Sequence, residues 1–289
     1  MLQVLDIVVP VFAIVLVGFA YAQLRPADMD TANRLNVSLF SPALIFHALS
    51  EQVGDIGGLG SLALGAAVIV LGSGVLAWLP ARLLGWQWRT VVPPAMFKNV
   101  GNMGLPLMVF AYGEGALSAA VTLFVTSTLI HFTLGAWLLS RGLNLLGLLR
   151  NPIVLATIAG IAAQALDWRA PEMLRPGIAM LADVAIPLML VSLGVRLTDL
   201  DLNHWRIGLL GGLLAPLTGL AIAVPWILAA GLSGQQAGLL LLLAALPPAV
   251  LNYILAESFR QQPAEVAAIV AFGNLAALAV IPAVLAMLL

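Results

Sequence analysis

Residues Lys98 to Pro106, Lys-Asn-Val-Gly-Asn-Met-Gly-Leu-Pro, set a cation, two amides, two glycines and a proline into an otherwise apolar stretch. Val91 to Phe97 before it and Leu105 to Ala111 after it have the character of a bilayer-crossing helix. Residue types of this kind bind a guest rather than make or break bonds. Asn99 and Asn102 offer neutral amide donors, and Lys98 a full positive charge. Gly101 and Gly104 are expected to release the backbone from helical geometry, and Pro106 cannot donate to the turn before it. Broken backbone at membrane depth persists only where protein or a water-filled cavity satisfies its freed N–H and C=O groups. The stretch therefore reads as a break in a membrane helix that lines a binding site.

A second interruption, Leu246-Pro247-Pro248-Ala249-Val250-Leu251-Asn252-Tyr253, lies inside another apolar run. Successive prolines remove two donors and disfavour helix at the residue before them. Pro106 and Pro248 are each suited to open a new half-helix. Half-helices beginning near the bilayer centre present free N–H groups and positive dipole ends, which attract carboxylates. Asn252 would join Asn99 and Asn102 in adding donors without net charge, so that an anion is held and still released. The expected substrate contacts are Asn99, Gly101, Asn102, Gly104, Pro106, Pro247, Pro248, Asn252 and Tyr253.

Other polar residues interrupt apolar runs. A lysine at the depth of Lys98 costs about 2.5–3.5 kcal/mol on insertion scales, so it should face protein or water and have a partner. Asp183, at similar depth in a later run, is the expected partner, and the pair would tune site charge or couple a cation. His47 and His131 are candidates for carrying protons, or for interfacial roles. Asn274 would line the cavity or bond a neighbouring helix. Ser127 and Thr128 are expected to bond back onto their own helix. Catalytic patterns are missing: there is no His-Glu-x-x-His, no phosphate-binding Walker A loop and no Gly-x-Ser-x-Gly. With no ATP-binding domain and no cysteine, the sequence reads as a non-enzyme with neither cofactor nor metal.

The elements that must position these residues follow from composition. Of the 289 residues 62% are hydrophobic and only 9% charged, whereas soluble domains carry about 25%. The fold class is an all-α polytopic membrane protein; the short alternating segments of a β-barrel are absent. A net charge of −1 points to no nucleic acid partner. Runs near the ~20-residue length of a span occur at about 4–24, 32–50, 58–79, 91–112 and 116–140, then 151–166, 173–195, 207–231, 236–257 and 265–288. The first ends in Phe19-Ala20-Tyr21-Ala22-Gln23, like a cleavage site, but it carries Asp6 and no preceding Lys or Arg, so it reads as a span.

Arginines fix the orientation. With the N-terminus outside, inner loops hold nine (Arg25, Arg34, Arg82, Arg89, Arg141, Arg150, Arg196, Arg206, Arg260) and outer loops only Arg169 and Arg175. The positive-inside rule then places both termini outside, with ten crossings. Residues 1–140 and 151–289 form two five-span halves joined by a cytoplasmic linker, 141–150. An odd number of spans per half inverts the second half relative to the first. Pro10 and Pro152 are 142 apart, as are Pro106 and Pro248, in the frame of such a repeat. Interrupted spans at corresponding places in two halves are the sequence pointer to a transporter's binding site.

At these residues the chain resembles the auxin efflux carrier family, in its bacterial branch of malonate and other carboxylate permeases. Asn99-Val100-Gly101-Asn102-Met103-Gly104-Leu105-Pro106 is similar to the family's Asn-x-Gly-Asn-x-Gly-x-Pro signature. Pro247-Pro248-Ala249-Val250-Leu251-Asn252-Tyr253, with Ala256-Glu257, is similar to its ninth-helix pattern. The resemblance implies the two-domain elevator fold shared with bile acid sodium symporters. Spans one, two, six and seven would form a dimerising scaffold. Spans three to five and eight to ten would form a moving domain, with substrate at the crossing of the fourth and ninth. It carries substrate contact onto Asn102, Pro106, Pro248 and Asn252. The long cytosolic loop of plant auxin exporters is absent, which puts auxin itself in doubt as the solute. The expected activity is secondary transport of small organic anions across the bacterial inner membrane by alternating access, proton-coupled or uniport. Sodium-coupled symport of the bile acid type, a non-transporting carboxylate receptor and a passive anion channel are the alternatives.

Overall fold

The computed structural model describes residues 2–25, 28–50, 56–140, 147, 150–199 and 202–288. Among them the secondary structure is helical apart from turns and one isolated antiparallel bridge. Helix α1 (Leu2–Leu24) is followed by α2 (Asp30–Leu35), a π-helical segment (Asn36–Phe40) and α3 (Ser41–Ser50). Next come α4 (Ile56–Leu83), α5 (Trp88–Met96), a second π segment (Val100–Gly104) and α6 (Leu105–Tyr112). Helix α7 (Leu117–Ile130) runs through a third π segment (His131–Gly135) into α8 (Ala136–Ser140). The second half holds α9 (Pro152–Ala165), α10 (Arg175–Arg196), α11 (Trp205–Ala229), α12 (Gly234–Ala245), α13 (Leu251–Ser258) and α14 (Pro263–Leu288). The expected linker 141–150, with Arg141, lies outside the described residues apart from 147 and 150.

Six of these stretches are long and apolar enough to cross a membrane alone: Gln3–Leu24, Gly58–Leu83, Glu114–Leu139, Arg175–Arg196, Trp205–Ala229 and Pro263–Leu288. The other expected spans are broken or short. Helix α9 has 14 residues, about 21 Å at 1.5 Å per residue, less than the ~30 Å hydrocarbon core. Its start is legible in sequence. Asn151 caps it by accepting from the Ile153 N–H at 2.9 Å, and Pro152 stands where a helix needs no donor.

The fourth expected span breaks at Phe97–Asn99, three residues before the glycines. Phe97 is extended (φ −97°, ψ 99°), whereas Gly104 is helical (φ −66°, ψ −49°). The expectation that Gly101 and Gly104 free the backbone is therefore corrected. Both are bare because neighbours approach closely: a Cβ on Gly101 would meet Phe124 at 3.0 Å, and one on Gly104 would meet Leu246 at 2.5 Å. Pro106 does not open the half-helix as expected: helical backbone runs from Val100 through the π segment, and Pro106 follows it as the second residue of α6. The ninth expected span breaks at 246–250. Pro248 does not open the half-helix as expected; it stays extended in the bridge, and α13 starts at Leu251.

Helix α1 packs along α10, and α3 packs on α9 and α10. Helix α11 packs on α4, α12 and α14, and α5 on α4. The two groups meet where α1 touches α6, α3 touches α7, and the π segment at Val100–Gly104 touches α10. Small residues bring the helices within each group to backbone contact, as in membrane bundles. Gly18 on α1 faces the Val191 carbonyl of α10, and Gly212 on α11 faces Gly273 on α14.

Candidate functional site

The two breaks meet. The Asn99 N–H donates to the Pro247 carbonyl at 2.7 Å, and the Ala249 N–H donates to the Phe97 carbonyl at 2.9 Å. This antiparallel bridge, centred on Lys98 and Pro248, lets each interruption satisfy backbone that the other has freed. Asparagines complete the accounting. Asn252 Nδ2 donates to the Phe97 and Ala249 carbonyls, both at 2.9 Å. Asn274 Nδ2 donates to the Pro248 and Val270 carbonyls at 3.1 and 2.8 Å, while its Oδ1 accepts from Asn99 Nδ2 at 3.0 Å.

Lys98 is 4% exposed, and its ammonium donates to the Ala95 and Ala215 carbonyls. Ala95 lies in the last turn of α5, where unpaired carbonyls and the dipole both favour a cation. Asp183, by contrast, is exposed on α10. The expected Lys98–Asp183 pair does not form. Equal depth along two helices says nothing about which way each side chain faces.

A cavity of about 200 Å³ lies beside the bridge. From the crossing it is lined by Lys98, Asn99, Gly101 and Asn102, and from α7 and its continuation by Ser127 and His131. Asn33, Ser192 and Arg196 also line it, and among the described residues no carboxylate does. All three described π segments contribute residues to this wall. Such segments re-aim side chains that an α-helix would point elsewhere.

Buried polar atoms without a partner gather here: Ser127 Oγ, His131 Nε2, Asn33 Nδ2 and, just behind the wall, Asn252 Oδ1. Buried groups are normally bonded, so a cluster of exceptions around one cavity marks places for a guest's atoms. The expectation that Ser127 bonds its own helix is corrected by its empty hydroxyl. His131 stacks on Phe97 with ring centroids 4.0 Å apart and planes 6° from parallel, so its ring is held at the crossing.

The remaining expected residues fall elsewhere. Pro247 and Pro248 form the bridge, and Gly104 and Pro106 are buried behind the wall. Asn252 is 2% exposed and braces the break. Tyr253 and Asn274 line a second cavity of about 420 Å³, where the Tyr253 hydroxyl donates to Glu257 Oε1 at 2.8 Å. His47 is half-buried on α3 and lines neither cavity. Asn33, Ser192 and Arg196 were not singled out from sequence as site residues. The first two stand as lone polar residues beside apolar runs, and Arg196 drew notice only as a topological charge.

The family model described as membrane transport protein matches residues 3–143 and 136–285 of this chain. The chain belongs to that family. It is the auxin efflux carrier family that the two crossing motifs resemble. An "Uncharacterized transporter" of Methanothermobacter thermautotrophicus is 28% identical over 87% of this chain and 87% of its own length. A "Putative malonate transporter" of Rhizobium meliloti is 27% identical over 90% of this chain and 88% of its own length. The protein is a multi-pass membrane transporter rather than an enzyme.

Proposed function

We propose that this member of the membrane transport family carries small carboxylates across the bacterial inner membrane by elevator-type alternating access. The observation that carries the reading is the meeting of two broken helices in one bridge, beside a cavity rich in unpartnered polar groups and, among the described residues, free of carboxylates. An anion entering it meets amides, a hydroxyl and an imidazole, none neutralised by a neighbouring acid. Asn99, Gly101, Asn102, Ser127 and His131 would contact the substrate. Asn252, Asn274, Pro247 and Pro248 would hold the crossing in shape. The malonate in the name of the Rhizobium meliloti relative agrees with a short carboxylate. So does size, since about 200 Å³ is below the roughly 300–1,000 Å³ of pockets for drug-sized ligands and leaves no room for a steroid.

Ten spans in two inverted halves, with both termini outside, remain our reading of the topology. In it, α1 to α3 with α9 and α10 are the scaffold, through which a homodimer forms, and the helices that pack on α4 and α11 are the moving body. The cavity reaches toward Asn33 and Arg196, at helix ends next to inner-loop arginines, so this is an inward-open state. Coupling runs through protons or not at all. Among the described residues of the cavity wall a sodium ion would find no acidic ligand.

The test is counterflow of labelled malonate in proteoliposomes of the purified full chain. Saturable exchange, stimulated by unlabelled carboxylate on the far side and independent of sodium, is the expected result. Binding without flux would replace this reading with a receptor. Strict dependence on sodium would favour a bile acid-type symporter, and unsaturable flux without exchange a channel.

A further inference from the structure

We infer that Arg196 and Asn33 form a second anion pole in the cavity, making the site select short dicarboxylates over monocarboxylates. The inference rests on the carboxylate reading above and specifies its substrate class. Arg196 stands in the last turn of α10, half-buried, and lines the cavity with no hydrogen bond or ion pair to any described residue. Arg196 also borders the adjoining cavity, where Glu257 Oε1 accepts from the Tyr253 hydroxyl at 2.8 Å.

One turn before Arg196, Ser192 Oγ donates to Asn33 Oδ1 at 2.7 Å. That bond fixes the amide so that Nδ2 is the free end, and Nδ2 is buried without a partner. A planar guanidinium fork beside a fixed amide donor is suited to bidentate capture of a carboxylate. From elements packed with the other group of helices, Asn102, Ser127 and His131 line the same cavity. Donors from both groups of helices thus reach one space of about 200 Å³. A guest with a carboxylate at each end of a short spacer meets both sets. A monocarboxylate leaves one set of desolvated donors empty, and sites of that kind reject the analogue that cannot pair with them.

The arrangement also joins the two bodies. In an elevator the moving body carries the guest while the scaffold stays, so a contact from α10 is made in the inward-open state and lost when the moving body departs. Arg196 would therefore act on capture and release at the cytoplasmic side.

The experiment uses the full chain in proteoliposomes, with malonate, succinate, acetate and propionate competing for labelled malonate. The unaltered protein is expected to favour dicarboxylates over monocarboxylates by at least about tenfold, the scale of one well-formed charged contact. Arg196→Gln should bring that ratio toward one. Arg196→Lys, keeping charge but losing the fork, should fall between. Ser192→Ala, which frees the Asn33 amide, gives a second reading should the arginine variants elute as aggregates, and should lower the ratio by a smaller factor. Equal competition by both classes in the unaltered protein overturns the inference, as does an unchanged ratio in Arg196→Gln. In either case counterflow of carboxylates continues. Loss of the transport reading itself looks different, because no carboxylate then exchanges in the unaltered protein.

Discussion

Asn99 donates through Nδ2 to Asn274 Oδ1 at 3.0 Å, joining side chains 175 positions apart in the chain. Asn274 also donates to the Pro248 carbonyl, so one amide ties the first break to the second. Asn274→Leu keeps the approximate shape and removes every one of these bonds. It leaves Asn99 Nδ2 and the Pro248 carbonyl buried and bare, at about 1–3 kcal/mol for each unsatisfied group. The expected outcome is a lower melting temperature of the purified protein in detergent, together with reduced exchange of carboxylate. An unchanged melting curve would show that the asparagine is dispensable to the crossing.

Lys98 serves carbonyls, not a carboxylate, and this fixes the sign of a double-mutant experiment. Lys98→Met should destabilise the fold, because the Ala95 and Ala215 carbonyls lose their donor. Asp183→Asn, at an exposed site, should act independently of it. Unfolding free energies of the pair should then add within about 0.5 kcal/mol, as for residues that share no partner. Gly219 packs against the Ala244 carbonyl as well as the Lys98 side chain, so Gly219→Ala should destabilise the fold whether or not Lys98 is present. A large coupling between Lys98 and Asp183 would contradict the side-chain directions found here.

Sequence alone made the two breaks legible: Lys98 and Asn99 set polar side chains in an apolar run and Pro247-Pro248 removes two successive donors, although the pair Pro93-Pro94 stays inside α5 without a break. That the two breaks cross was implied by the family resemblance, and the bridge between Asn99 and Pro247 joins them. The position of the first break was misread, because Gly101 and Gly104 look like hinges when read locally. They are bare on account of Phe124 and Leu246, which are distant in sequence. The Lys98–Asp183 pair failed for a related reason, since counting residues from an interface gives depth but not rotation. Arg196 and Asn33 were overlooked because residues at helix ends read as interfacial until the wall they share becomes visible.

Ser127 offers a test that separates stability from function. Its hydroxyl is buried with no partner, a net cost to the fold. Ser127→Ala removes that cost and should leave the melting temperature unchanged or raised. If the hydroxyl meets the substrate, the same change should weaken carboxylate binding by about fivefold to tenfold, the worth of one hydrogen bond of about 1 kcal/mol or a little more. Affinity by isothermal titration and stability by thermal melting, measured on one preparation, should therefore move in opposite directions or diverge. Parallel loss of both would assign Ser127 to packing alone.

The last prediction concerns protons. His131 lines the cavity with Nε2 enclosed and without a partner, turned toward the Asn252 amide whose Nδ2 is committed to backbone carbonyls. Asn252 Oδ1 is therefore an acceptor lacking a donor, which either the Nε2–H tautomer of the neutral ring or the imidazolium would supply. Few other charges bear on the ring. Lys98 turns its ammonium to carbonyls, Arg89 is held by the Leu138 carbonyl, and Arg196 lines the same cavity. A carboxylate bound beside the ring would favour the imidazolium, since opposite charges at close range attract. Anion binding thus takes up a proton, so apparent affinity should rise as pH falls, by at most about tenfold per pH unit for one proton. His131→Gln keeps a polar side chain that cannot titrate, and should flatten that slope. The measurement is carboxylate affinity by calorimetry across the neutral range, in buffers of different ionisation enthalpy that count the protons directly. A flat profile in the unaltered protein, with no proton uptake, would leave uniport as the mode of transport.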